Sequence, residues 1–121
     1  MHPTVFYTKA LVNELIEVQK KKFFLYLDFH GHSAKKNVFQ YGNKLEALAY
    51  VKGQKSYSVA KDNPKTFPYF LSKQLDYFNL LDCSFNMPPM KAQTARIAMF
   101  HHLRIPFVFT LEASFCGANK G

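Results

Sequence analysis

Acidic residues are scarce in this chain. Its 121 residues carry eight Asp and Glu against sixteen Lys and Arg, a formal net charge of +8. Cysteine is scarcer, with Cys83 and Cys116 alone. Two cysteines build neither a disulfide framework nor a paired-cysteine zinc site. No apolar run approaches the ~20 residues that a membrane helix needs. Residues 1–20 lack the basic start, apolar middle and small-residue cleavage site of a signal peptide. A Gly-rich phosphate loop and an aromatic RNA-binding motif are also missing. These absences speak against a disulfide-stapled secreted domain, a zinc finger, and a nucleic-acid or membrane partner. The length allows one domain at most and is short for a complete large barrel. With 48% hydrophobic and 20% charged residues the composition is globular. The expectation is a reduced intracellular protein.

The polar and apolar spacing predicts an α/β fold. Leu11, Val12, Leu15 and Ile16 fall on one face of a 3.6-residue period, so a helix is expected from Thr8, capped by its hydroxyl. Lys20, Lys21 and Lys22 suit the negative end of that helix. Residues 23–29 are apolar on both alternating faces apart from Asp28. That pattern predicts a central strand with helices on both sides, as in a parallel or mixed sheet. Residues 34–67 carry lysines, Gly42, Gly53 and Pro64 that break any period, with a short helix around Leu45–Val51. Pro68 fits the first turn of a helix running to about Phe78. Leu80–Phe85 reads as a short strand. Gln93–Leu103 reads as a helix with Ile97, Phe100 and Leu103 inward. Ile105, Phe107, Phe109 and Leu111 alternate with Pro106, Val108, Thr110 and Glu112, and predict a second inner strand.

Both strands deliver polar groups near their carboxyl ends, where open sheets gather ligands and catalytic groups. The first brings His30 and the second Glu112. Each residue alone has a structural reading, but an unpaired carboxylate at the end of an apolar strand is expensive to desolvate. His30-Gly31-His32 admits two metal readings. In one, both histidines bind a single ion, as in amidohydrolase barrels, a fold of ~200 residues or more. In the other, one histidine binds and further ligands come from elsewhere, since a catalytic zinc takes about three protein ligands and a water. None of His2, His30, His32, His101 and His102 has a Glu at the offset of a His-x-x-Glu or Glu-x-x-His pair. His101 and His102 read as surface or packing residues. Asp28 shares a strand face with His30. It either anchors a metal-bound imidazole through the second ring nitrogen, or caps a local turn or pairs with a lysine.

The stretch from Ser33 to Lys65 holds seven lysines against Glu46 and Asp62. It is either solvated surface or the binding face for an acidic partner, for which a peptide fits best.

The run from Leu27 to Gly42, Leu-Asp-Phe-His-Gly-His-Ser-Ala-Lys-Lys-Asn-Val-Phe-Gln-Tyr-Gly, resembles the signature of the cytosolic carboxypeptidases. These form the deglutamylating branch of the carboxypeptidase A-like zinc metallocarboxypeptidases. Thr110-Leu111-Glu112-Ala113-Ser114-Phe115-Cys116-Gly117 resembles the same family's general-base segment. Cys83-Ser84-Phe85, Lys91-x-x-Thr94-Ala95-Arg96 and His2-Pro3-Thr4-Val5-Phe6-Tyr7-Thr8-Lys9 follow the family's order. Ala34, Ala92-Gln93 and His101-His102 depart from it.

The resemblance implies a fragment of a zinc carboxypeptidase fold. That is a partial mixed sheet flanked by helices on both faces, with residues 1–121 a catalytic domain truncated at both ends. It implies His30 as one zinc ligand and Glu112 as the catalytic glutamate. One Zn²⁺ is expected, needing a His and a Glu from outside this chain. The implied substrates are acidic protein tails, including polyglutamylated tubulin, in the cytoplasm and at microtubules or cilia. Lys35 and Lys36 follow His30 closely and are expected to bind the acidic substrate, with Asp28 behind the metal ligand. Lys44, Lys52, Lys55, Lys61 and Lys65 are expected to line an approach path. The alternative function is a catalytically dead remnant that only binds acidic tails.

Overall fold

The computed structural model describes residues 2–48 and 63–118. Lys52, Lys55, Lys61 and the end of the helix expected around Leu45–Val51 lie outside the described residues. Its elements are α1 (Pro3–Glu17), β1 (Tyr26–His32), β2 (Val38–Tyr41), α2 (Thr66–Gln74), α3 (Ala95–Leu103) and β3 (Val108–Ser114). Three single-turn 3-10 segments, Leu45–Ala47, Leu80–Asp82 and Pro89–Lys91, lie between them.

The strands form one mixed sheet in the order β1-β3-β2. β1 runs parallel to β3, with Asp28 opposite Thr110 and His30 opposite Glu112. β2 runs antiparallel to β3, with Phe39 opposite Glu112 and Tyr41 opposite Thr110. Opposed residues share a sheet face. Asp28, His30, Tyr41, Thr110 and Glu112 are therefore on one face, together with Val108 and Tyr26. On that face Val108 joins Val12 of α1 and Met99 and Phe100 of α3 in the hydrophobic core, with Tyr26 and Ile16 packed against it. The opposite face receives α2, where Phe67 stacks on Phe109 with ring centroids 5.5 Å apart. The α/β architecture with helices on both faces of a mixed sheet is as the sequence predicts.

Some expectations are corrected. β1 is not the central strand. It lies at an edge of the described sheet, and Phe29 on it is 72% exposed. β3 takes the centre. Apolar residues on both faces mark a strand as buried or awaiting burial, but carry no information on which strands flank it. α1 begins at Pro3, whose fixed φ and missing N–H suit a first turn. Thr8 therefore sits inside the helix and donates its hydroxyl to the Thr4 carbonyl at 2.7 Å. Lys20–Lys22 lie beyond the last turn, which ends at Glu17. Leu80–Phe85 is not a strand. Asn79 accepts a hydrogen bond from the Leu81 N–H and winds the segment into a 3-10 turn, leaving only the Tyr41–Ser84 bridge extended. α2 stops at Gln74, short of Phe78.

The connection between β1 and β2 crosses the carboxyl end of β3. It is tied there by the Phe115 N–H to the His32 carbonyl (2.8 Å), the Ser114 N–H to the Asn37 carbonyl (3.1 Å) and the Asn37 N–H to the Gly117 carbonyl (3.0 Å). Asn37 supplies the left-handed turn this path needs, at φ +69°.

Candidate active site

β1 and β3 bring Asp28, His30 and Glu112 together, as expected from two strands delivering their polar groups to one sheet end. His30 Nε2 lies 2.8 Å from Asp28 Oδ2. The carboxylate can only accept, so Nε2 carries the proton and donates. In the neutral ring this leaves a lone pair on Nδ1. That nitrogen faces Glu112 Oε1 across 3.9 Å, too far for a hydrogen bond. Glu112 is 7% exposed and Asp28 and His30 more open, so the carboxylate is the buried member of the cluster. Its neighbours Val108 and Phe109 earlier on β3 are fully buried, which holds the strand, and hence the carboxylate, in place.

These side chains line a cavity of about 360 Å³ on the α3 side of the sheet, with Tyr41, Thr110 and the start of α3 also in its lining. Asn86, Pro88 and Lys91 form the opposite wall. Lys35 and Lys36 are not among the lining residues. Lys35 Nζ is 3.8 Å from Asp82 Oδ1 and 4.9 Å from the centre of the Phe39 ring, and Lys36 is exposed. Lys44 and Lys65 line a second cavity of about 520 Å³, which shares Ser84 and Asn86 with the first.

The cations at the cavity are instead Lys91 and Arg96. Arg96, at the first turn of α3, is buried, and its Nη1 donates to the Gly42 carbonyl, to Asn43 Oδ1 (3.0 Å) and to the Asn86 carbonyl (3.2 Å). Burial lowers its pKa from the ordinary arginine value, and the Tyr41 hydroxyl acts in the opposite sense. The guanidinium also lies 5.9 Å from the Tyr41 ring centre. Asn43 completes the link by donating to the Val108 carbonyl at 3.0 Å. Arg96 thus ties the cavity wall to β3. Its signal in the sequence was a charge directly before Ile97 on a helix that turns its apolar side inward, and its partners were not legible there.

His32 does not join His30. Its Nδ1 accepts from the Ala34 N–H (3.1 Å) and the Lys35 N–H (3.0 Å). His101 packs on the Phe100 ring, and His102 Nε2 lies 2.8 Å from Asn13 Oδ1. His101 is an exposed surface residue and His102 is half-buried, in line with the reading of both as surface or packing residues. Burial lowers the pKa of His102. Burial likewise raises that of the Cys83 thiol.

Among the described residues no group of three or more His, Cys, Asp and Glu could hold a metal ion. The donor set nevertheless fits one ligand of a metal site. An imidazole whose Nε2 is anchored by a carboxylate, with its other nitrogen unprotonated, is the usual state of a metal-binding histidine. The lone pairs of Nδ1 and Glu112 Oε1 also face each other across a gap, which favours a cation or proton donor between them.

Strands meeting at a polar cluster beside a cavity define an α/β segment with an enzyme-like site. No family model matches the chain. Over its whole length it is 32% identical to cytosolic carboxypeptidase 1 of Xenopus laevis and 33% identical to cytosolic carboxypeptidase 1 of Homo sapiens. Over 98% of its length it is 38% identical to cytosolic carboxypeptidase 3 of Mus musculus. The chain spans 10%, 10% and 11% of these relatives, about a tenth of the length of the curated proteins it matches. Its curated homologues are cytosolic carboxypeptidases, and the chain corresponds to a part of them.

Proposed function

We propose that this chain is part of the catalytic domain of a cytoplasmic zinc metallocarboxypeptidase that removes C-terminal residues, in particular glutamates from acidic tails such as those of polyglutamylated tubulin. The observation that carries the reading is the His30–Glu112 pair. An imidazole nitrogen with a free lone pair faces a buried carboxylate across 3.9 Å, and Asp28 anchors the ring from behind. The whole-length likeness to cytosolic carboxypeptidases supports the same reading.

His30 would hold the metal through Nδ1, with Asp28 orienting the ring through Nε2. A His and a Glu from outside this chain would complete the ligands. A bound zinc would supply Lewis acidity toward the scissile carbonyl and a water. The Glu112 carboxylate would take the water proton and return it to the leaving amine. Lys35 and Lys36 would hold the acidic tail, and Lys91 is the exposed cation on the cavity wall.

Two measurements test the reading. One histidine cannot make a catalytic zinc site, so metal analysis of this chain alone should find no stoichiometric zinc. Joined to a segment supplying a His and a Glu, it should take up one zinc, lost on His30→Ala. One tight zinc per chain alone would contradict this. In the joined enzyme, replacing Lys35 and Lys36 by Ala should weaken acidic tails by roughly twofold to fivefold per lysine, and neutral tails less. Raising salt should weaken the parent more than the double variant, since screening acts within ~8 Å at physiological ionic strength. Equal losses for acidic and neutral tails would leave these lysines as solvated surface.

A further inference from the structure

His-Gly-His holds two histidines on one strand face, and the proposed chemistry uses only the first. The second is engaged otherwise. His32 Nδ1 accepts the N–H of both Ala34 and Lys35, at 3.1 and 3.0 Å. An acceptor nitrogen carries no proton, so the neutral ring has its proton on Nε2. Neither nitrogen then offers a lone pair to a metal. The ring also packs edge-on against Phe39, with centroids 5.1 Å apart. Phe39 lies opposite Glu112 in the antiparallel pair.

These contacts sit where the chain changes direction. β1 ends at His32, the connection crosses the carboxyl end of β3, and β2 begins at Val38 on the far side. The His32 side chain closes the first bend of that crossing, as an Asx side chain closes a turn by accepting backbone N–H groups just ahead of it. Its own carbonyl accepts from Phe115, which pins the segment after β3 to the same bend. The Phe115 ring meets Gly31 with its Cζ end, where a Cβ would come within 2.0 Å of it. So the crossing holds β1 and β2 on either side of β3, and with them His30 and Phe39 on either side of Glu112.

We infer that His32 is a positioning residue whose Nδ1 folds the Ser33–Lys36 bend over the end of β3, and that it is not a metal ligand. The part of this inference that concerns catalysis rests on the carboxypeptidase reading; the bend itself does not.

The test therefore reads the bend directly, by amide hydrogen exchange in this chain, with no substrate and no activity. Asn presents an acceptor oxygen near the position of His Nδ1, whereas Gln carries its oxygen one bond further out, near the position of Nε2. His32→Ala and His32→Gln should speed exchange of the Ala34 and Lys35 amides on the order of tenfold, the loss of one modest hydrogen bond at each. His32→Asn should keep both near the parent rate. The amides of Phe109 and Thr110 should stay protected in all variants and report an intact sheet. Should the Ala variant unfold, the contrast between Asn and Gln decides alone. Adding zinc ion to the parent chain should leave Ala34 and Lys35 exchange unchanged. Acceleration by zinc would mean that Nδ1 is given up to the metal and would overturn the inference. Equal exchange in the Asn and Gln variants would overturn it as well. Loss of peptidase activity elsewhere in the proposed enzyme leaves these outcomes untouched, so the two readings fail separately.

Discussion

Glu112→Gln is expected to lower peptide hydrolysis by ~10²–10⁴-fold in a carboxypeptidase domain that contains this segment, with the fold retained. Gln has the shape of Glu and fits the same buried position on β3. It cannot accept the water proton, so the loss falls on the chemical step. The same substitution also distinguishes a structural role. A carboxylate that only balanced nearby charge would, on replacement, shift the unfolding midpoint and leave turnover largely intact. The surroundings favour the catalytic role. The His30 ring, neutral with its one proton on Nε2, stands 3.9 Å off and directs that proton to Asp28 instead. Turnover and thermal midpoint measured on one preparation separate the two roles. Near-normal turnover in a well-folded Glu112→Gln protein would sink the mechanism.

Arg96→Met is expected to be the most damaging change to stability outside the apolar core. One guanidinium nitrogen serves the carbonyls of Gly42 and Asn86 and the side chain of Asn43. Removing it leaves the buried acceptors of Gly42 and Asn43 without that donor at about 1–3 kcal/mol each, whereas the exposed Asn86 can turn to water. Relief of the desolvation that lowers the Arg96 pKa returns part of this. A net loss of roughly 2–4 kcal/mol follows, a large share of the ~5–15 kcal/mol that holds a domain together. Arg96→Lys should recover less than half, because an ammonium on a flexible stem cannot match the planar fork. Urea unfolding of the three proteins measures this. A loss below ~1 kcal/mol for Arg96→Met would show that the buried acceptors find other donors. The substitution should also loosen the cavity, since Gly42 follows β2 directly and Asn43 holds the Val108 carbonyl at the start of β3.

Several features of the molecule were legible in the chain because they are local. Alternation from Ile105 to Glu112 marks β3 and puts Glu112 near its carboxyl end. Asp28 and His30, two residues apart on an extended segment, must share a face, and the 2.8 Å contact follows from that spacing. α3 turns Ile97 and Phe100 inward, as their spacing requires. β2 was not legible. Its four residues follow directly on a basic loop, and a strand so short becomes one only by pairing with β3. The edge position of β1 was hidden for the same reason, since strand order depends on partners some 80 residues away along the chain.

The lysines show the same division within one stretch. Net charge and clustering are properties of composition, and they raise an acidic partner as a reading. Which cation faces the cavity depends on where each side chain finds a counter-charge or ring. Lys35 turns to Asp82 and Phe39, whereas Lys91 and Arg96, far along the chain, line the cavity beside His30.

By itself the sequence determined the α/β class and that Asp28, His30 and Glu112 are polar groups on two otherwise apolar strands. Those follow from periodicity and from the cost of burying polar groups. The tertiary structure alone decided the strand order, the capture of the His32 nitrogen by its own bend, and the buried Arg96 link between Gly42, Asn43 and Asn86. Each of these is a choice among hydrogen-bond partners, which the chain makes only when distant backbone groups are brought within about 3 Å of one another.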